Sequence, residues 1–377
     1  MVVKNLEVFV LDFVLPKPIA DARNIIYKRS TALIKITSED GLVGWGEAAS
    51  FADSGSLVKC VIEHFKPRIL GSSVFDGSVL HAELLESSVH YGRRGVVVSA
   101  ISGIDLALWD LKARILNVSV WQLIGRQRPS VTPYYNAGYY DPDSPSKSLI
   151  MLGDSLESCL ERGATGVKIK LGRFGQADDI ERIRFARKVV GDEVSLMVDF
   201  NSQGIVHDLL QIDKVCQEFG VRWIEEPIRR GGRGQLASLR NRLITPIAGY
   251  EIEMLLDGYY DLLCPESVVD VVQPDAIWSG GLTEVVKIAA VAEAVGIELA
   301  PHNFASIIGS MANTVLACFA TTGGLIELDS NPNPFLTDIV APGSFNVRDN
   351  SVYLSSGIGW GIDLDEELVS NWTNRGR

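Results

Sequence analysis

One feature constrains the fold of this 377-residue chain more than any other: a ladder of ionisable residues, each closing a short apolar run. Asp199 closes SLMVD, Glu225 closes VRWIE and Glu251 closes ITPIAGYE. Asp275 follows VVDVVQP, His302 follows IELAP, and Glu327 lies in GLIELD. The successive steps are 26, 26, 24, 27 and 25 residues. A strand–helix unit of a β/α barrel takes roughly 25–30 residues, and the C-terminal ends of its strands meet around one mouth. The spacing therefore predicts that six residues far apart in sequence converge.

The rest of the middle of the chain agrees. Apolar runs at Gly166–Lys170, Val194–Asn201, Val221–Glu226, Ile244–Glu251, Val269–Asp275, Gly296–His302 and Gly323–Asp329 alternate with helical patterns such as Asp179–Val190, Ile205–Phe219 and Gly281–Val295. That is a βα repeat. An open doubly wound sheet would carry an early glycine-rich phosphate turn, which the sequence lacks, so closure into a barrel is favoured. Before Gly125 the pattern differs. Val2–Leu15 is β-rich, Thr31–Thr37 alternates, and a turn at Asp40-Gly41 leads into Val43–Ala48, which together read as a hairpin. Helices are expected near Ser56–Lys66 and Val98–Ile115. Asp105 and Asp110 read as cap, turn or surface groups, and Gly44, Gly46 and Glu47 as parts of the hairpin. After Asn331 the repeat ends, and Gly357–Asp363 is expected to pack back on the first module.

Any one acid after a strand is most simply an N-cap. Three in consecutive units crowd like charges and call for a cation. Oxygen-only ligation by Asp199, Glu225 and Glu251 suits Mg2+. Lys168 and Lys170, in VKIKLG, share one face of the preceding strand. Two such ammonium groups are expected to depress each other's pKa, leaving one usable as a base. On the other side, Asp275 is placed to orient His302 and raise its basicity. His64, His81, His90 and His207 fall in or beside helical stretches and read as surface or packing residues. The set fits removal of the weakly acidic proton beside a carboxylate, with Lys170 and His302 on opposite faces and Glu327 at a carboxylate oxygen.

Composition narrows the partners. The apolar fraction is 46%, the charged fraction 22% and the net charge −12. An acidic balance argues against nucleic acid and anionic membrane as the main partner. It does not identify a substrate, because a metal or a few local cations can bind an anion inside an acidic protein. The small-molecule carboxylate substrate is expected from the ladder and lysines instead. The five cysteines have no metal-knuckle spacing and read as buried free thiols of a reducing compartment. With no leader and no bilayer-length apolar stretch, a cytoplasmic location is expected.

At Lys168-x-Lys170, Asp199, Glu225, Glu251, the Asp275/His302 pair and Glu327, the chain resembles the enolase superfamily in its mandelate racemase-like branch. The resemblance implies a modified (β/α)7β barrel over residues 126–334. It also implies an α+β capping domain of residues 1–125, completed by about 335–377. It implies Mg2+, a homo-oligomer, and acid-sugar dehydration to a 2-keto-3-deoxy acid, with racemisation or sugar-lactone cycloisomerisation as the alternative. The ELD…NPF run at Glu327–Phe335 is similar to galactaro-lactone cycloisomerases. Asn201 resembles a substrate-orienting residue of the branch. Specificity is implied to lie in capping loops, here Pro16–Tyr27 and Ala49–Gly55, so Arg23, Tyr27 and Lys28 are candidates for a distal carboxylate or hydroxyls. Tyr135 and Asn136 are further candidates at the end of the first barrel strand. Tyr250 in AGYE, where the branch more commonly has AGE or GGE, is expected to reshape the pocket. Trp278 after Asp275 and Asn303-Phe304 after His302 are unusual in the branch and leave the substrate open, with Trp278 and Asn303 as candidate substrate contacts. A carbohydrate- or metal-binding module explains the three acids but not a lysine pair facing a His–Asp pair. A barrel kept only for interaction predicts the loss of some of these residues, and all are present.

Overall fold

The alternating N-terminal pattern forms a three-stranded antiparallel sheet of β1 (Val3–Ala20), β2 (Ile25–Ser38) and β3 (Val43–Ala49). The computed structural model describes residues 1–51, 54–345 and 347–375. Of the capping loop Ala49–Gly55, Ala52 and Asp53 lie outside the described residues. Helices α1 (Gly55–Ile69), α2 (Gly77–Ser87), α3 (Val96–Ile115) and α4 (Val120–Ile124) follow. Of these, the sequence pattern predicts α1 and α3. The apolar face of the sheet, with Leu6, Ile34 and Ile36, packs on Ile62, Phe65, Ile101 and Ile104.

Gly44 and Gly46 lie in the β2–β3 hairpin as expected, opposite Ile36 and Ile34. A Cβ on either would strike the backbone of α3 at Ala107 or Gly103, so glycine lets strand and helix touch. Asp110, expected near the surface, is fully buried. It accepts hydrogen bonds from Trp45 N (2.8 Å), Trp360 N (2.9 Å) and Arg114 Nε (3.0 Å). Asp105 is likewise buried and accepts from Thr283 N at 3.0 Å. Both acids bind this module to the rest of the chain.

The repeat is a barrel. Among the described residues, eight parallel strands alternate with seven helices. The strands are β4 (Ser130–Ala137), β5 (Gly166–Lys170), β6 (Ser195–Asp199), β7 (Val221–Glu225), β8 (Ile247–Gly249), β9 (Val271–Val272), β10 (Glu298–Leu299) and β11 (Leu325–Asp329). Between them run α5 (Pro145–Glu161), α6 (Gln176–Val190), α7 (Val206–Glu218), α8 (Arg233–Arg240), α9 (Leu255–Leu263), α10 (Leu282–Ala294) and α11 (Ile307–Phe319). Each strand from β4 to β9 pairs with the next, and β11 returns to pair with β4, Glu327 opposite Tyr134. This is the modified (β/α)7β arrangement.

Alternation along the strands sorts the side chains. Tyr134, Met197, Trp223, Ala248, Val271 and Ala300 fill the barrel interior as one cluster. Val167, Ile169, Val198 and Ile224 face the helices. The polar ladder stands above the interior cluster.

The tail forms a hairpin, β12 (Val347–Arg348) and β13 (Ser351–Tyr353), which pairs antiparallel with the start of β4. Trp360 then packs under the N-terminal sheet, its Nε1 donating to Trp45 O at 2.9 Å, as expected for 357–363. Helix α12 (Glu366–Arg375) sets Trp372 edge-on against Phe13 and Phe335. All five cysteines are free. Cys159, Cys216 and Cys318 are buried, whereas Cys60 is exposed, contrary to the expectation of burial. Among the described residues no helix is long and apolar enough to cross a membrane.

Candidate active site

The register of three neighbouring strands brings the first charged groups together. Lys170 lies opposite Asp199, and Asp199 opposite Glu225. Lys170 Nζ meets Asp199 Oδ2 at 2.5 Å. Lys168, fully buried, pairs with Glu225 and, at 2.9 Å, with Glu327 Oε1. The second oxygen of Glu225 accepts from Gln273 Nε2 (2.7 Å) and Trp223 Nε1 (3.2 Å). Tyr134 Oη donates to Glu327 Oε2 at 3.4 Å.

These contacts correct the expected lysine chemistry. Burial alone would depress both lysines. Glu225 and Glu327 instead hold Lys168 well above its ordinary pKa, and Asp199 does the same for Lys170. The carboxylates outweigh the mutual repulsion of the two ammonium groups.

Glu251 is buried and faces Glu226, which also accepts from Ser202 Oγ at 2.7 Å. Burial and Glu226 push Glu251 well above the usual carboxylate range. Burial likewise pushes Glu226 up to about 7. Glu251 Oε2 is buried without a hydrogen-bond partner. Among the described residues, no group of three or more His, Cys, Asp or Glu side chains is drawn together closely enough to enclose an ion. Lys168 and Lys170 supply the nearby positive charge. The donor set nevertheless fits a hard divalent cation: oxygen ligands only, one buried orphan oxygen, and crowded acids whose charge needs neutralising.

Across the mouth, His302 Nδ1 meets Asp275 Oδ2 at 2.8 Å. Burial would depress the imidazole. The Asp275 hydrogen bond and the Glu327 and Glu251 carboxylates more than offset it and raise its pKa to about 9. Asp275 Oδ1 in turn accepts from Asn313 Nδ2 (2.8 Å) and Ile277 N (3.1 Å).

The other candidates divide. Arg23 reaches the mouth, its Nη2 donating to Asn201 O at 3.1 Å. Its loop is a tight turn in which Asp21 Oδ1 accepts from Arg23 N and Asn24 N, both at 2.6 Å. Asn201 has positive φ, and its Oδ1 is buried without a partner. Trp278 lies beside Asp275 and packs on Phe51, ring centroids 4.8 Å apart. Tyr27 is not brought to the site: its side chain is 62% exposed. Lys28 pairs with Asp12 at 2.9 Å.

Tyr135 also fails as a candidate, because strand parity turns it outward among Leu152, Leu156 and Cys159, beneath the helices. Tyr134 is the inward residue. Tyr250 is turned into the wall, its hydroxyl on Ile228 O at 3.0 Å, so it does not reshape the pocket. Asn303 is buried and occupied, its Nδ2 donating to Glu327 O (3.0 Å) and Ser310 Oγ (3.2 Å). It fixes the strand that carries Glu327 rather than facing a ligand. Sequence reasoning missed Glu226, Gln273, Asn313 and Tyr139, whose ring centroid lies 5.2 Å from Lys170 Nζ and whose hydroxyl accepts from Asn136 Nδ2 at 3.1 Å. It also missed a buried ion pair of Arg29 with Asp329, beneath a guanidinium–ring contact with Phe304 at 4.1 Å. The Glu-Glu-Pro sequence at Glu225–Pro227 was a usable signal for Glu226. A shallow groove lined by Val74, Phe75, Asp105 and Trp109 lies behind the capping helices, and its one acid is already bonded to Thr283.

A capped (β/α)7β barrel with a charged mouth is the architecture of a barrel enzyme. Residues 5–125 match the mandelate racemase / muconate lactonizing enzyme N-terminal domain, and residues 152–368 match the enolase C-terminal domain-like family. The chain belongs to the enolase superfamily, in its mandelate racemase branch. It is 30% identical to an arabinonate dehydratase of Saccharolobus solfataricus, over 90% of this chain and 89% of that protein. It is 27% identical to a D-galactarolactone cycloisomerase of Agrobacterium fabrum, over 99% of each. The crystal structure of L-talarate/galactarate dehydratase from Salmonella typhimurium LT2, liganded with Mg and L-lyxarohydroxamate, superposes with a TM-score of 0.87. The two are 28% identical, over 98% of this chain and 92% of that one.

Proposed function

We propose that this chain is a Mg2+-dependent acid-sugar dehydratase. One observation carries the reading. Lys170, ending β5, and His302, after β10, come from separate arcs of the barrel and face one buried group of acids. Relatives named as arabinonate and L-talarate/galactarate dehydratases support it.

Asp199, Glu225 and Glu251 would hold the metal. When bound, the cation supplies Lewis acidity that stabilises charge on the substrate's carboxylate oxygens. Lys168 presents a second positive charge to the same carboxylate. Lys170 or His302, according to the configuration at C2, is assigned to take the proton from the α-carbon and leave an enediolate. Neighbouring carboxylates hold both groups protonated, so the one that acts as base must first give up its own proton. The bond from the β-carbon to its hydroxyl then breaks. His302 donates a proton to that hydroxyl, its own where Lys170 is the base and the one taken from the α-carbon where His302 is, and the hydroxyl departs as water. The enol product tautomerises to a 2-keto-3-deoxy acid. Glu327 is assigned to a substrate carboxylate oxygen. Lys168 and His302 hold it ionised, so it must gain a proton before it can donate there. Arg23 and Asn201 are assigned to the distal part of the substrate.

A second reading, cycloisomerisation of a sugar lactone, uses the same α-proton step. The cycloisomerase that matches over 99% of both chains favours it. The division into capping domain and barrel, homo-oligomeric assembly and a cytoplasmic location belong to the same proposal. The test is a panel of mono- and diacid sugars and their lactones, incubated with Mg2+ and followed for 2-keto acid and ring-opened product. No product from any of them would overturn the proposal.

A further inference from the structure

We propose that Asn313 is a positioning residue for the Asp275–His302 pair. The observation is a polar residue in an apolar place. Helix α11 is buried from Ile307 to Cys318, and a buried amide is costly unless it is bonded. Asn313, with no exposed surface, uses both ends of its amide. Its Nδ2 donates to Asp275 Oδ1 at 2.8 Å, and its Oδ1 accepts from Ala276 N at 2.9 Å.

The two oxygens of Asp275 have separate tasks. Oδ2 faces His302 Nδ1, while Oδ1 is pinned by Asn313 and Ile277 N. An aspartate carboxylate, two rotatable bonds from its Cα, is free to swing. Pinning one oxygen from an outside helix fixes the direction of the other. It thereby fixes the ring plane and tautomer of His302, leaving Nε2 for the substrate. Only a group with a donor and an acceptor at amide spacing serves both Asp275 and Ala276. Aspartate would set two carboxylates together, serine is too short, and leucine has neither atom.

The helix is itself held from the other module. Glu47 on β3 accepts from Ser306 N (2.8 Å), Gly309 N (2.7 Å) and Ser306 Oγ (2.5 Å) at the start of α11. One turn on, Ser310 meets Asn303, which donates to Glu327 O. Spacing of i and i+3 puts Ser310 and Asn313 on one face. The N-terminal sheet thus reaches His302 through Glu47, α11, Asn313 and Asp275.

The inference rests on the reading of His302 as an acid–base group, but its first test needs no substrate. In Mg2+-supplemented full-length protein labelled with 15N-histidine, the His302 Nδ1 proton is identified by its loss in His302→Asn. The wild type is expected to show it downfield and slowly exchanging. In Asn313→Ala, and in Asn313→Leu, which keeps the branched shape and removes the donor, its exchange should quicken at least about tenfold. In Ser310→Ala, on the same helix face, the signal should persist. On any acid sugar that the wild type turns over, α-hydrogen exchange on the His302 face should fall about tenfold to a hundredfold. Exchange on the Lys170 face, and KM, should stay within about twofold. A protected Nδ1 proton in both Asn313 variants would overturn the proposal, as would equal loss on both faces. If the wild type exchanges no acid sugar, the proposed dehydratase function fails, and the histidine spectrum still decides the role of Asn313.

Discussion

Replacing Asp275 with Asn separates charge from shape at the acid–base pair. His302 stands at about 9 against an ordinary 6.5, a rise worth roughly 3 kcal/mol between its two protonation states. Burial works against that rise, so the Asp275 hydrogen bond and the Glu327, Glu251 and Asp275 charges supply it. A raised histidine pKa means that the proton is held below it and lost as pH rises through about 9. Asp275→Asn removes the hydrogen-bonding charge and leaves Glu327 and Glu251, so the pKa should fall by between about one unit and the full two and a half. At pH 8 the acid form, and any rate that depends on it, should drop between about twofold and thirtyfold. The alkaline limb of the pH profile should move down by the same amount. The assay is a histidine NMR titration alongside the pH dependence of kcat, both at one Mg2+ concentration. A midpoint still near 9 in Asp275→Asn, with the rate at pH 8 unchanged, would refute this account of His302.

Exhaustive chelation should abolish turnover and Mg2+ should restore it, while Glu251→Gln should require at least about tenfold more Mg2+ for half-activity; elemental analysis and kinetics check both. For a substrate whose α-proton is taken by Lys170, His302→Asn should stop dehydration but still wash that proton into D2O, and Lys170→Ala should not; NMR reads the difference, and the pattern reverses for the opposite C2 configuration. Glu47→Ala strands the buried Ser306 and Gly309 N–H groups and should cost about 2–4 kcal/mol, seen as a lower midpoint in urea; an unchanged midpoint would mean that Glu47 does not hold α11.

The barrel was legible because its signal repeats. Strands β8, β9 and β10 span only two or three residues, yet the acid or histidine following each marked it. Strand β4 carries no such marker, and without one a single-residue error in parity exchanges Tyr134 for Tyr135. The lysine environment is hidden in the sequence for another reason. Spacing along β5 shows that Lys168 and Lys170 are neighbours but not that each also meets a carboxylate from another strand. Long-range partners hid the rest. Glu47 reads as a hairpin residue until Ser306, 259 positions away, is seen to bond it. Asn313 reads as an irregularity in an apolar helix until Asp275 is found against it. Arg23 and Tyr27 sit four positions apart on one arm, and only the turn built by Asp21 decides which reaches the mouth.

The central claim is that this mouth removes a proton from the carbon beside a carboxylate. Proton NMR in D2O tests it most directly, with the Mg2+-loaded protein and acid sugars of both C2 configurations. The account predicts loss of the α-proton signal for at least one acid sugar, with growth of a 2-keto-3-deoxy acid, and neither change in a Lys170→Ala, His302→Asn double variant. An α-proton retained in every acid sugar and lactone tried, with Mg2+ demonstrably bound, would contradict it.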